Sequence, residues 1–307
     1  MKYQRMMLFS LLMGLLICSS SSAAEYRIGV RAKSGIEYAH SQWQATVDLL
    51  NERIPEHRFT LVPIVKLNKI TAAAGRDEIK FVLTNPSSYA EVEMLHGAKA
   101  LATLNNKRTD GKGQNRFGTV IFTHAKHIGI TKLTDLKGKT IMAVSEPAFG
   151  GWRVAWLELL QHGVDPYRDL KQLLFAKDRI QQTVVYAVRD GQADAGVVRT
   201  DQLERMAEAG KIDMRYFRIL NNQDVKWFPF FLSTPLYPEW PFAALPVVPN
   251  DVAEQVRDVL LGIKADSVAA QNGKYVGWLS PLDYKPVHDL MQRLKVGPHA
   301  PRYNGLK

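Results

Sequence analysis

The chain has 307 residues, with 40 Lys and Arg against 30 Asp and Glu and a formal charge of +10. That length fits about two ordinary domains, and a hydrophobic share of 46% supplies real cores, which excludes disorder as the general state. A single Cys excludes a disulfide framework, a multi-cysteine zinc site and an iron–sulfur cluster, while the positive charge leaves nucleic acid, an acidic membrane surface and anionic ligands open.

Residues 1–24 decide among these. Lys2 and Arg5 precede an apolar run over 6–18, and Ser22-Ala23-Ala24 has the small-x-small form of a cleavage site. This is the pattern of a secretory signal peptide, the alternative being an uncleaved anchor; the apolar run is shorter than the roughly 20 residues a membrane span needs. Cleavage removes Cys18, the one thiol, which suits an oxidising compartment. The remainder is expected to be a soluble periplasmic protein with no nucleic-acid partner. Its positive charge then serves anionic small ligands or solubility alone.

The elements follow in alternation. A strand is predicted over 26–30. A helix over 41–53 presents Trp43, Val47, Leu50 and Ile54 on one face. A strand over 59–65 leads to a short helix over 67–74 closed by Gly75. The buried strand 79–84 turns through Asn85-Pro86-Ser87 into a helix over 88–96, with Ser88 and Glu91 spaced as a capping box and Gly97 as its stop. A strand over 100–104 and a polar, basic loop over 105–116 come next, the loop reading as a solvated hairpin or as a ligand lid. The strand 117–123 restarts the rhythm: strand 140–144, helix 152–162, strand 170–175, helix 180–189, strand 193–198 and helix 201–209, with Asp201 and Glu204 as a second capping box. Strands over 217–220 and 228–233 and helices near 251–265 and 287–294 complete the chain. Such alternation predicts doubly wound α/β sheets in two similar halves.

No GxSxG, HExxH, P-loop or dinucleotide fingerprint occurs in the sequence. His124 and His127 lie close together but lack a third ligand, so neither a metal nor a cofactor is expected, and no catalytic constellation suggests an enzyme.

In open α/β sheets, ligands bind beyond the carboxyl ends of strands, where helix amino termini favour anions. Four such places stand out. SEPAFGGW offers the Ser145 hydroxyl, the backbone of Gly150 and Gly151, and Phe149 to cover an apolar part of a ligand. An ordinary glycine-rich turn is the plainer reading. TNPSS offers Thr84, Asn85 and Ser87 beside a rigid Pro, or simply a capped helix start. After the first strand, Tyr38 and Trp43 form a wall, unless Trp43 is core. In VVRT, Arg199 and Thr200 follow a buried strand; the planar guanidinium grips an oxoanion with two parallel bonds, or makes a surface ion pair. The proline-broken aromatic stretch 226–242 adds Tyr237 and Trp240 as wall candidates.

The ordered strings FVLTNPSSYAEVE, FGTVIFT, DLKGKTIMAVS, AFGGW and DAGVVRTDQLE resemble the phosphate/phosphite/phosphonate-binding branch of the type 2 periplasmic solute-binding proteins. TNP, AFGG, GVVRT and LYPEWPFA make the chain most similar to the sensor region of tetrathionate-sensor histidine kinases. The resemblance covers nearly all of residues 25–300. It implies an α/β fold of two lobes joined by two crossover strands, with a ligand cleft between them. The crossovers map to about 117–123 and 228–234, lobe one to 25–116 plus 235–307, and lobe two to 117–234.

Two departures from the sensor kinases are visible. RDEIK before FVLTN is one residue longer than usual, and the chain stops at Lys307, where a membrane helix and kinase modules would follow. The expectation is a monomer that captures a small oxoanion, such as tetrathionate, and senses it or delivers it to a separate membrane sensor kinase. A truncated sensor is the other reading of the stop. An ABC-transporter receptor for phosphonate or a phosphate-like ligand, working with a permease, is the alternative function.

Overall fold

The computed structural model describes residues 24–301, so the expected signal peptide lies outside the described residues. Strand β1 (Ala24–Arg31) buries Tyr26, Ile28 and Val30 and pairs in parallel with β2 (His57–Ile64) and β3 (Phe81–Leu83). Helix α1 (Ile36–Arg53) lays Trp43, Val47 and Leu50 on this sheet, one face at helical spacing. It begins five residues before the expected start, since Gly35 at φ 100° turns the chain into it directly.

Helix α2 (Leu67–Gly75) keeps Gly75 inside rather than as its stop. That glycine is needed for packing, because a Cβ there would lie 2.8 Å from the His96 ring. Helix α3 (Pro86–His96) has Asn85 as its cap, Pro86 in the first turn and Gly97 at φ 68° as its stop. The Ser88–Glu91 capping box does not form, because Asn85 Oδ1 already accepts from Ser88 N at 2.9 Å. Strand β4 (Lys99–Lys107) runs into the polar loop and returns as β5 (Gly113–Gln114), so that loop is a hairpin.

After β6 (Arg116–Phe117) come β7 (Thr119–His124), β8 (Thr140–Ala143), a π turn (Phe149–Arg153), α4 (Val154–Gln161), β9 (Gln172–Phe175), α5 (Gln181–Arg189), β10 (Ala195–Arg199), α6 (Gln202–Glu208) and β11 (Phe217–Leu220). The strands from β7 to β11 form one sheet in the order β11-β7-β10-β8-β9. The capping box at Asp201 is absent too: Asp201 sits at φ 74° and its carboxylate pairs with Arg205 instead.

The expected strand 228–233 is not a strand. Pro229 and Pro235 withhold backbone donors there, and side chains hold the segment against β7: Ser233 Oγ accepts from Ile121 N at 2.9 Å and Thr234 Oγ1 from Thr119 N at 3.0 Å. The two passages between the sheets are instead β6 and β12 (Tyr237–Pro238), which pair antiparallel with each other, while β7 belongs wholly to the second sheet.

The returning chain adds β13 (Pro241–Ala244), α7 (Asn250–Leu261), α8 (Val268–Gly273), β14 (Tyr275–Leu279) and α9 (Lys285–Leu294). The first sheet runs β14-β4-β13-β3-β1-β2, with β5 beside β4; β13 is antiparallel to both neighbours. Trp43 stacks on Tyr275 at 6.1 Å within the core of this sheet. A second apolar cluster spans the two sheets, setting Phe149, Val154 and Leu157 against Tyr89, Tyr284 and Leu290. Among the described residues no helix is long and apolar enough to cross a membrane, and no group of His, Cys, Asp and Glu is placed to hold a metal ion.

Candidate anion site between the two sheets

The carboxyl ends of the parallel strands in both sheets open onto one cavity of about 470 Å³. Arg31 closes β1, and Lys33 follows two residues on. Lys66 to Asn68 start α2 after β2, and Asn85 starts α3 after β3. From the second sheet, Ser145 and Pro147 to Gly151 lead into the π turn after β8, Arg179 and Gln181 start α5 after β9, and Arg199 ends β10. Several helix starts thus face one space, each with backbone N–H groups that lack helical acceptors. Arg31, Lys33, Lys66, Arg179 and Arg199 line the cavity, and no carboxylate does.

The charge is held apart from neutralising partners. Among the described residues, Arg199 is the one of these five cations with an ion pair. Its guanidinium donates to the carboxylate of Glu239, which is wholly buried, and lies 4.3 Å from the centre of the Phe117 ring. Burial works to lower the proton affinity of Arg199, but Glu239 and Asp201 outweigh it and leave it raised. Glu239 Oε2 also accepts from Trp240 N at 3.2 Å.

Arg31 donates to the Val65 carbonyl, and its pKa is lowered to about 10, by burial first and by the Arg179 charge second. Lys33 is held below the usual lysine range by desolvation around its ammonium, with Arg199 adding repulsion against the pull of Glu239 and Asp201. Its Nζ sits 5.8 Å from the Trp240 ring centre, in a residue that is exposed as a whole. Like charges crowded this way favour an added anion.

The π turn is fixed from behind. Thr119 Oγ1 donates to the Gly150 carbonyl at 2.8 Å. A Cβ on Gly150 would come within 2.6 Å of the Phe117 ring, and one on Gly151 within 2.7 Å of Val144. Gly150 therefore lets the turn press against the β6 passage and Gly151 against the end of β8, and both leave backbone open to the cavity. Such π turns recur at functional sites.

Asn85, Ser145, Phe149, Gly150, Gly151 and Arg199 all line this cavity. Tyr38 and Trp43 line a narrow side pocket of about 40 Å³, which shares Arg31, Lys33, Arg199 and Trp240 with the main one. Thr84, Ser87 and Thr200 are buried and do not line either space. Ser87 Oγ donates to Asn85 Oδ1 at 3.0 Å, and Thr200 Oγ1 accepts from Gly118 N at 3.2 Å, so Ser87 steadies the α3 cap and Thr200 ties β10 to the entry of β7. Thr84 Oγ1 is enclosed without a partner. Trp240 lines the cavity, whereas Tyr237 is core, packed edge-on to Phe149 at 5.1 Å.

Arg31, Lys33, Lys66, Asn68, Arg179 and Gln181 were not singled out from the sequence. Their common signal is position: each lies within a few residues of the carboxyl end of a strand.

A family model for the periplasmic substrate-binding protein of ABC phosphonate transporters matches residues 34–285. The tetrathionate sensor histidine kinase of Salmonella typhimurium is 31% identical over 290 residues, covering 94% of this chain and 46% of that protein. The chain thus spans about half the length of this curated relative. Among solved structures, XAC2383 from Xanthomonas citri bound to ATP superposes with a TM-score of 0.70 at 18% identity, covering 89% of this chain and 98% of that one. PhnD1 from Prochlorococcus marinus in complex with methylphosphonate gives 0.67 at 12% identity, covering 88% and 98%. These two likenesses establish the two-lobed periplasmic binding fold.

Proposed function

Because the chain belongs to the family of periplasmic substrate-binding proteins of ABC phosphonate transporters, we propose that it captures a small oxoanion in the cavity between its two sheets. The observation that carries this reading is that five cationic side chains line the cavity, with no carboxylate among the lining residues. A sulfur oxoanion such as tetrathionate is the favoured ligand, since the relative at 31% identity is a tetrathionate sensor. A phosphonate or phosphate-like ligand is the second reading, favoured by the family match.

The binding residues in this reading are Asn85, Ser145, Phe149, Gly150, Gly151 and Arg199, joined by Arg31, Lys33, Lys66 and Arg179. The lobes are 25–116 plus 235–307, and 117–234, with the β6–β12 ladder as the hinge between them. Closure about that ladder buries the anion and shifts the population toward the closed form. A closed lobe pair then engages a separate partner, either a membrane sensor kinase or an ABC permease. No step of bond chemistry enters.

A thermal-shift panel of tetrathionate, thiosulfate, sulfate, phosphate, phosphite and methylphosphonate at fixed ionic strength tests this. A ligand at about 100 times its Kd stabilises by about 2.7 kcal/mol. A shift with sulfur oxoanions alone supports the sensing reading, and one with methylphosphonate alone supports transport. No shift with any anion refutes the proposal.

A further inference from the structure

We infer that the hairpin joining β4 to β5 is a clasp: its tip bridges the rims of the two sheets and holds them together beside the cavity. This rests on the hinge reading of the β6–β12 ladder and not on which anion binds.

Topology brings both halves of the clasp to the same side. β13 runs antiparallel to β3 and to β4, so β4 points the same way as β3. The end of β4 at Lys107 therefore lies at the cavity edge of the first sheet, and Asn106 lines the side pocket that holds Lys33 and Arg199. Helix α6 begins just after β10 ends at Arg199, at the cavity edge of the second sheet.

Three contacts cross from the hairpin to the second sheet's elements. Arg205 Nη2 on α6 donates to the Lys107 carbonyl at 2.9 Å. Thr109 Oγ1 donates to Glu208 Oε1 at 3.0 Å. The Arg108 guanidinium lies 5.5 Å from the centre of the Phe230 ring, in the segment held against β7.

Each side is fixed before they meet. In the hairpin, Arg108 N donates to the Lys112 carbonyl at 2.8 Å, and Lys107 N to the Lys274 carbonyl at 3.0 Å. On α6, the Asp201 carboxylate accepts from Arg205 Nε at 2.8 Å, and Glu204 Oε1 accepts from Phe231 N at 2.7 Å. Parts ordered in advance lose little freedom on contact.

The other tie between the sheets is the apolar cluster that includes Phe117 and Tyr237 of the hinge ladder; no residue of the hairpin or of α6 belongs to it. That cluster sits at the pivot, whereas the clasp lies away from it and parts when the sheets swing. Lys107, Thr109, Arg205 and Glu208 are exposed, and exposed polar contacts contribute little each against water. Together they favour the joined arrangement while leaving it free to open.

The test is the distance between spin labels at Glu52→Cys and Lys171→Cys, exposed positions on the first and second sheet's sides, read by double electron–electron resonance. The chain from Glu25 onward has no cysteine of its own. In that chain, Arg108→Gln with Thr109→Val should shift the ratio of open to joined forms about tenfold, while Thr109→Ser, which keeps the donor, should match the parent. Glu208→Gln should add nothing once Thr109→Val is present. Melting curves verify that each variant is folded.

An unchanged distance distribution in the Arg108→Gln, Thr109→Val variant overturns the clasp, and so do additive effects of Thr109→Val and Glu208→Gln. If that distribution is unchanged but tetrathionate or methylphosphonate moves the same labels, the clasp falls and the hinge stands. If neither the variant nor any anion moves them, the hinge reading falls with the clasp.

Discussion

Glu239→Gln separates the anion-binding role proposed for Arg199 from its structural one. Glu239 is wholly buried, and the Arg199 side chain beside it is 21% exposed. Removing one charge of a buried ion pair costs about 3–5 kcal/mol. Gln keeps the volume and an acceptor for the Trp240 N–H, and the partly exposed guanidinium recovers some solvation. The expected loss is therefore smaller, about 2–3 kcal/mol. At about 2–4 °C per kcal/mol for a chain of this size, the melting temperature of the ligand-free protein should fall by roughly 5–10 °C. Anion affinity should move the other way. Arg199 no longer shares its charge with a carboxylate, so a bound oxoanion gains a stronger partner, and Kd should fall by about tenfold. Calorimetry and melting curves on one preparation give both numbers. A variant that melts lower and also binds more weakly would refute the reasoning, because Glu239 would then be needed to aim Arg199 rather than merely to neutralise it.

Gly150→Ala places a methyl 2.6 Å from the Phe117 ring, so stability should drop by about 1–3 kcal/mol and anion binding with it; an unchanged melt would show that the ring yields freely. Asn85→Asp should keep the α3 cap, since Asp caps as well as Asn, yet place a carboxylate on the cavity wall. Calorimetry should show anion affinity falling at least tenfold with the melt preserved. Lys33 is held below the usual lysine range by burial first and by Arg199 second. An anion binds its protonated form, so affinity should be full below the ligand-free pKa of Lys33 and decline as pH rises through it. Lys33→Met should bind more weakly throughout and lose that limb of the Kd–pH profile.

The alternation of strand and helix is legible because each element carries its own period: Trp43, Val47 and Leu50 on α1, or the buried run of β3. Strand ends are legible for the same reason, and they point to Asn85, Phe149 to Gly151, and Arg199. What stays hidden is set by long-range partners. β13 is four residues beginning with Pro241, and it becomes a strand because β3 and β4 accept it between them. The segment 228–233 is more apolar than β13 and is no strand, because hydroxyls of Ser233 and Thr234 take up the donors of β7 that a neighbouring strand would have used. Capping boxes failed for a local reason: Asn85 outcompeted Ser88, and Asp201 turned to Arg205. The cations of the cavity are illegible singly, since 40 Lys and Arg are scattered along the chain and only folding selects which of them meet.

The place of β13 also bears on the order in which the molecule assembles. It lies inside the first sheet, flanked by β3 and β4, although the chain reaches it only after every strand of the second sheet. During synthesis from the amino terminus, β7 to β11 can find all their partners while β3 and β4 still face each other across a missing neighbour. Those open edges, rich in unpaired N–H and C=O groups, are templates for wrong pairing. The contacts that seal them are distant in sequence and therefore slow to form. A fragment ending before residue 241 should thus hold a well-formed second sheet and a first sheet prone to aggregate, and refolding of the whole chain should show the second sheet protected from hydrogen exchange before the first.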